Sequence, residues 1–123
     1  MAIVKPVSER KVLSASTLTG NKVVNLRKED LGTIEDLMID IDSGRIAYAV
    51  LSFGGFLGLG DKLFAIPWSA LKVEAAEKRF VLNISKDLLE QAPGFDKSNW
   101  PDMSDPAWGA QIYTYYGYKP YWE

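Results

Sequence analysis

The chain contains no histidine and no cysteine. Those two absences exclude a Ser-His-Asp triad, a cysteine nucleophile, an ordinary structural zinc site, His-ligated haem, disulfides and thiol redox chemistry. Long hydrophobic runs are missing as well. The longest apolar stretch, residues 46–51, has the length of a strand, and nothing approaches the ~18 apolar residues a membrane-spanning helix requires. The first residues lack the apolar core of a secretory signal. The expectation is a cytoplasmic protein with no transmembrane segment, although the lack of cysteine fits any compartment. An excess of one charge is absent too: 14 basic against 16 acidic residues give a net charge of −2. That balance is not the footprint of a general nucleic-acid binder, and DNA is not expected as a partner. The reactive chemistry left open is that of carboxylates, lysines or tyrosines, an all-oxygen metal site, or none.

What is present is one domain's worth of chain, 123 residues with 47% hydrophobic and 24% charged residues, enough for one real core. Charge is unevenly spread. Residues 1–28 hold six bases (Lys5, Arg10, Lys11, Lys22, Arg27, Lys28) against Glu9 alone, a net of +5. Residues 29–42 hold six acids (Glu29, Asp30, Glu35, Asp36, Asp40, Asp42) and no base. A solvated basic arm beside an acidic strand face explains this; so does an electrostatic guide for an acidic partner.

Three regions differ in composition. Residues 1–17 are polar and mixed, and read as an arm. Residues 18–93 read as short strands with a closing helix. A first strand is predicted over 22–27. A second, over 32–42, alternates Leu37, Ile39 and Ile41 with Met38, Asp40 and Asp42, a period of two with one wet face. Asp42-Ser43-Gly44 turns the chain, with Gly44 suited to a positive φ. Residues 45–53 return as a strand apolar on both parities, which belongs at the centre of a sheet or barrel. After the glycine-rich loop 54–60, a strand over 62–68 contains Pro67, which marks an edge, a bulge or the strand's end. Residues 72–74 and 79–84 read as a hairpin. Ser85 then suits the N-cap of a helix over 86–92 that stops at Pro93-Gly94. Five or six closely spaced strands and one short helix predict a mainly β protein, a small antiparallel barrel.

Several motifs fail on chemistry. The 55–62 loop lacks the Gly-Lys-Ser/Thr of a phosphate loop, since Asp61 is interposed and Leu63 replaces the hydroxyl. It also leads into a strand rather than a helix N-terminus. Two readings remain: Phe56, Leu57 and Leu59 fold over a barrel end, or they form an apolar knuckle that docks on a partner. Asp40-x-Asp42-x-Gly44 begins like a calcium loop, but Gly44 and Leu51 occupy positions where ligands are needed. Ser8-x-x-Lys11 has the spacing of some acyl-enzymes without a partner motif. No carboxylate pair is marked by opposed environments, the property acid–base work needs. No catalytic residue, metal ligand or cofactor site is assigned.

Residues 94–123 are the sharpest anomaly. Nine of the fifteen aromatics lie there: Phe95, Trp100, Trp108, Tyr113, Tyr115, Tyr116, Tyr118, Tyr121 and Trp122. Pro93, Pro101, Pro106 and Pro120 prevent one long helix. Such a segment carries too much aromatic area to stay loose and cannot form a core alone. It wraps its own barrel, docks on a second subunit, or stacks nucleic acid, a reading weakened because Lys97 and Lys119 are its only bases.

The sequence resembles the PRC-barrel family. The residues that carry the resemblance are 16–25 (Ser16-Thr17-Leu18-Thr19-Gly20 onward), 31–40 (Leu31-Gly32-Thr33-Ile34 onward), 46–55 and Phe64-Ala65-Ile66-Pro67-Trp68-Ser69-Ala70-Leu71, a span of about 14–92. The tail around Trp108-Gly109, Tyr115-Tyr116-Gly117-Tyr118 and Pro120-Tyr121-Trp122 is similar to that of stand-alone bacterial members. The family includes the cytoplasmic barrel of the photosynthetic reaction-centre H subunit and the C-terminal domain of a ribosome-maturation factor. This chain shows neither the membrane helix of the former nor the extra N-terminal domain of the latter. The resemblance implies a non-enzymatic interaction or assembly module.

The resulting expectation is a self-associating protein–protein module, a homodimer with a further protein partner unidentified. Its contact residues are expected among Phe53, Phe56, Leu57, Leu59, Trp68, Trp108, Tyr113, Tyr115, Tyr116, Tyr118, Tyr121 and Trp122. The alternatives are an RNA- or ribosome-associated accessory using the basic arm, an accessory of a photosynthetic or membrane complex, and a small-ligand binder with an apolar pocket under Phe56, Leu57 and Trp68.

Overall fold

The structure is a computed structural model and describes residues 12–54 and 62–123. Six strands form one sheet: β1 (Lys22–Val24), β2 (Asp30–Asp40), β3 (Arg45–Phe53), β4 (Lys62–Pro67), β5 (Leu71–Glu74) and β6 (Arg79–Leu82). Their spatial order is β4-β3-β2-β1-β6-β5, and the sheet curls into a half-barrel. All pairings are antiparallel except that of β1 with β6. No tight turn joins those two strands, so nothing local imposes an antiparallel pairing.

The β2–β3 hairpin follows from its turn residues. Gly44 adopts φ +74°, the Asp40 carboxylate accepts from the backbone N–H of Asp42 and Ser43, and Gly44 N–H donates to Asp40 C=O at 2.7 Å. An aspartate that satisfies the turn's own amides, with a glycine at positive φ, is the expected chemistry of a tight reversal. β1 is shorter than the 22–27 expected, because Asn25 takes over the backbone. Its side chain accepts from Arg27 and Glu29 N–H and donates to Glu29 and to Ile84 C=O. The Asn25 side chain therefore offers those amides a local alternative to the ladder.

β2 departs from simple alternation. Bulges between Ile34 and Asp36 and between Met38 and Ile39 shift its register against β3. The first places Glu35 as an extra residue in β2 and the second places Ala47 as an extra residue in β3, and each reverses which side chains of its own strand face the core. Leu31 and Ile34 are buried, whereas Ile39 and Ile41, expected to share an inward face with Leu37, are 53% and 89% exposed.

Inside the half-barrel, Val23, Leu31, Ile34, Ala49, Leu51, Phe64, Ile66, Phe80 and Leu82 form the main core, closed by Leu89 of α2 (Lys86–Glu90). Ser85 caps α2 by accepting from Leu88 N–H at 3.1 Å. A single helical turn, α1 (Ala15–Leu18), capped by Ser14, precedes β1 and buries Leu18, so the segment read as an arm contributes a helical turn. Beyond α2 the tail forms a helix that the sequence reading did not anticipate, α3 (Pro106–Tyr116). Asp105 caps it by accepting from Ala107 N–H at 2.9 Å, Pro106 occupies its first turn, and Gly117 ends it at φ +80°.

β3 is buried on both faces, as its two apolar parities predict. Ala49, Leu51 and Phe53 face the main core. Tyr48, Val50 and Ser52 on the opposite parity are also buried, as are Leu63 and Ala65 of β4. α3 and the chain around it supply that second cover. β4 is a sheet edge ending in Pro67, and Phe95 covers part of it through a pair of backbone hydrogen bonds with Leu63 (3.0 and 2.8 Å).

Candidate functional site

Where the tail meets the β2–β3 hairpin, aromatic and charged groups converge. α3 presents Gly109, Ile112, Tyr113 and Tyr116, spaced i, i+3, i+4, i+7, toward the outer face of β3 and β4. Alanines 47 and 65 lie beneath them and let the helix approach. Tyr113 is buried and its phenol donates to Ala47 C=O at 2.8 Å. Tyr48 packs edge-on against Trp108, with ring centroids 5.3 Å apart. A Cβ on Gly109 would lie 2.6 Å from Tyr48 Oη and 2.9 Å from the Trp122 ring. Any larger residue there must displace the Tyr48 hydroxyl or the Trp122 ring.

The chain then returns through Tyr121, which ties the tail to the hairpin by both ends. Its phenol donates to Asp40 Oδ2 at 2.6 Å, and its carbonyl accepts from Arg45 Nη1 at 2.8 Å. The shared hydrogen bond pushes the Tyr121 phenol up to about 12, with partial burial and the Asp40 charge adding to it. The same bond, followed by that from Ser43 N–H, holds the Asp40 carboxyl below its ordinary value. Tyr113 is raised to about 12 by burial and then by the charge of Tyr121. Burial raises Tyr48 and Tyr116 as well. Their hydroxyls are buried and have no hydrogen-bond partner among the described residues. None of these phenols is poised to ionise near neutral pH, so they serve packing and hydrogen bonding.

Two grooves flank Tyr121. One, about 310 Å³, is lined by Met38, Ile39, Ile41 and Met103, with Asp40 and Asp42 at its acidic side. The other, about 480 Å³, is lined by Ile46, Trp68 and Tyr113, with Arg45 and Lys119 as its basic groups. Both include Tyr121.

The expected contact residues are thus distributed unevenly. Phe53 and Tyr113 are buried in their own chain at 6% and 1% exposure. Trp68 is half-buried against Phe80, with centroids 6.0 Å apart. Trp108, Tyr115 and Tyr116 are half-buried in the tail–barrel seam, where the Tyr115 phenol donates to Leu88 C=O of α2. Tyr121 stands between the grooves; Tyr118 and Trp122 are exposed. Phe56, Leu57, Leu59 and Ser8-x-x-Lys11 lie outside the described residues. Of the basic residues at 12–28, Lys22 is paired with Asp30 at 3.0 Å. Ile39, Ile41, Asp40, Asp42 and Arg45 were not singled out as contact residues. Among the described residues no group of three or more acidic side chains is placed to hold a metal ion, and no helix is long and apolar enough to cross a membrane.

The sequence pattern of the family described as PRC-barrel domain matches residues 10–89. No curated protein matches the chain. Among solved structures, the fold is similar to one described as a 16S ribosomal RNA processing protein, RimM, from Pseudomonas aeruginosa. That likeness has 22% identity and a TM-score of 0.44, and covers 68% of this chain and 50% of the other. The chain therefore spans half the length of that protein. The family match ends at residue 89, so α3 and the aromatic seam lie beyond it.

Proposed function

The chain belongs to the PRC-barrel domain family, and on that premise we propose that it is a non-catalytic, cytoplasmic assembly module that pairs with a second copy of itself. The observation that supports this is the surface where hairpin and tail meet. Ile39, Ile41 and Trp122 are 53%, 89% and 43% exposed there, beside two grooves with apolar linings. Large apolar groups gathered beside grooves mark a surface that gains from being covered. The tail contributes through its last residues, while Tyr113 and its neighbours on α3 fasten that surface to the barrel.

Sedimentation velocity of the full chain over a wide concentration range tests the reading. A shift from the mass of one chain toward that of two is expected as concentration rises, and Ile41→Glu should weaken it without lowering the thermal midpoint measured where both proteins are monomeric. A single-chain mass at every concentration overturns the proposal. Deleting residues 94–123 is the wrong experiment, because it strips the cover from Tyr48, Val50 and Ala65 and damages the fold itself.

A further inference from the structure

We propose that the copies meet about a two-fold axis near Tyr121, so that the Asp40–Asp42 groove of each copy receives the Arg45–Lys119 side of the other. The inference rests on the self-association reading and names its interface. Its basis is the charge arrangement around one ring. Asp42 is exposed on one side of Tyr121, and Lys119 is exposed on the other. Neither has an ion-pair partner among the described residues, where the ion pairs are Lys22–Asp30, Arg79–Glu74 and Lys97–Glu35.

A surface with an acidic half and a basic half is self-complementary under a two-fold rotation. One rotation sets acid against base twice, because every contact in such an interface occurs in duplicate. A two-fold axis running across the boundary between the halves would instead set acid against acid, and that repulsion selects the axis that runs along the boundary. Heterologous partners that are simply basic would use the Asp40–Asp42 groove and leave Arg45 and Lys119 opposed by nothing. A second copy uses both.

Apolar groups supply the area between these charges. Ile39, Ile41 and Met103 line the acidic side, and the half-buried Ile46 and Trp68 the basic side. The surface is also fixed in advance. Tyr121 is held by Asp40 and Arg45 at once, and Asp40 is itself locked to the turn amides of Asp42 and Ser43. Little ordering is then left to oppose association.

The test uses two charge reversals in the full chain, Asp42→Lys and Lys119→Asp. Both positions are exposed, so circular dichroism and thermal melts, run at a concentration where the wild type is monomeric, should match the wild type. Each variant alone should self-associate at least about tenfold more weakly, because each sets like charges together twice. Mixed in equal amounts, the two should recover wild-type association. In the mixed pair, Lys at position 42 faces Asp at 119, and the native Lys119 faces the native Asp42. The double variant, Asp42→Lys with Lys119→Asp, should recover it too. A wild type that dimerises with both single variants unaffected, or with no recovery on mixing, overturns this interface and leaves the self-association reading standing. A wild type that stays monomeric overturns both.

Discussion

The two faces of β3 and β4 are both buried, by different means. The inner face is packed by Ala49, Leu51, Phe64 and Ile66 among other hydrocarbon side chains. The outer face is packed by tyrosines and tryptophans from a segment beyond the family match, against small residues, Ala47 and Ala65. Hydrocarbon packing is non-directional and tolerates exchange at constant volume. The outer seam is directional, since each phenol must find an acceptor or sit buried without one. Tyr113 finds Ala47 C=O; Tyr48 finds none among the described residues. The barrel wall should therefore fail through backbone and volume errors, and the seam through single polar atoms. Substitutions on each side can break or sharpen that contrast.

The largest effect belongs to the wall. Gly32 sits in β2 at φ +120°, and a Cβ there would lie 2.0 Å from the Ser52 carbonyl oxygen of β3. The obstacle is backbone, so neither side can yield without parting the strands. Gly32→Ala should cost about 4 kcal/mol or more, strain and collision together, read by urea denaturation. A loss under about 1 kcal/mol would mean that the wall is as adaptable as the seam, against the typical cost of a strained site.

Gly109→Ala is the corresponding change in the seam and should cost less. The obstacles are side-chain ends, Tyr48 Oη at 2.6 Å and the Trp122 ring at 2.9 Å. Overpacking of this kind costs roughly 1–3 kcal/mol, and the gain of alanine over glycine inside a helix returns up to about 1 kcal/mol. A net loss of about 1–2 kcal/mol is expected on those same grounds. A shift in tryptophan emission should accompany it as Trp122 swings outward. Unchanged emission with a loss as large as that of Gly32→Ala would place the strain elsewhere.

A finer contrast lies between two buried tyrosines. Tyr113→Phe removes the hydrogen bond to Ala47 C=O and should cost about 1 kcal/mol. Tyr48→Phe removes a buried hydroxyl that has no partner, so stability should hold or rise by up to about 1 kcal/mol. Opposite signs from the same chemical change would show that satisfaction, not ring packing, distinguishes the two. Equal losses would show that the Tyr48 hydroxyl is satisfied in solution.

The same contrast explains what the sequence made legible. β3 was readable to its bounds because both its parities are apolar, and α2 because Ser85 stands before it and Pro93-Gly94 behind it. The β2–β3 reversal was readable from Asp42-Ser43-Gly44. The outward turn of Ile39 and Ile41 was not, since bulges are set by cross-strand register rather than by local preference. α3 carried an aspartate cap, a proline in its first turn and a closing glycine, but its aromatic content drew attention to partners and away from those boundary signals. The grooves depend on Tyr121 meeting Asp40 across 81 positions of chain, and no local pattern encodes that meeting. Of the expected contact residues, Tyr113 near the centre of α3 is buried against its own barrel, and the surface proposed for self-association adds hairpin residues read as core or turn.

The smallest effect tests the strap itself. Tyr121→Phe leaves the ring but deletes the 2.6 Å hydrogen bond to Asp40. Because the bond lowers Asp40 and raises Tyr121, its contribution has two limits. Asp40 is depressed in the folded chain, so its part is present above the ordinary carboxyl value of 3.8 and is lost as pH falls through the lower folded value. Tyr121 is raised, so its part is complete below the ordinary phenol value of 10.0 and is lost as pH rises through about 12. The difference in thermal midpoint between wild type and Tyr121→Phe should therefore form a plateau from about pH 4 to pH 10 and shrink at both ends. Subtracting the two curves cancels the alkaline response of Tyr116 and the part of Tyr48 and Tyr113 that burial causes, which both proteins share. The plateau should be small, since Asp40 lies near water and solvent screens the pair. A difference that persists unchanged below the ordinary carboxyl range would assign the effect of Tyr121 to ring packing, and the hairpin would then be held by the Arg45 contact and the seam alone.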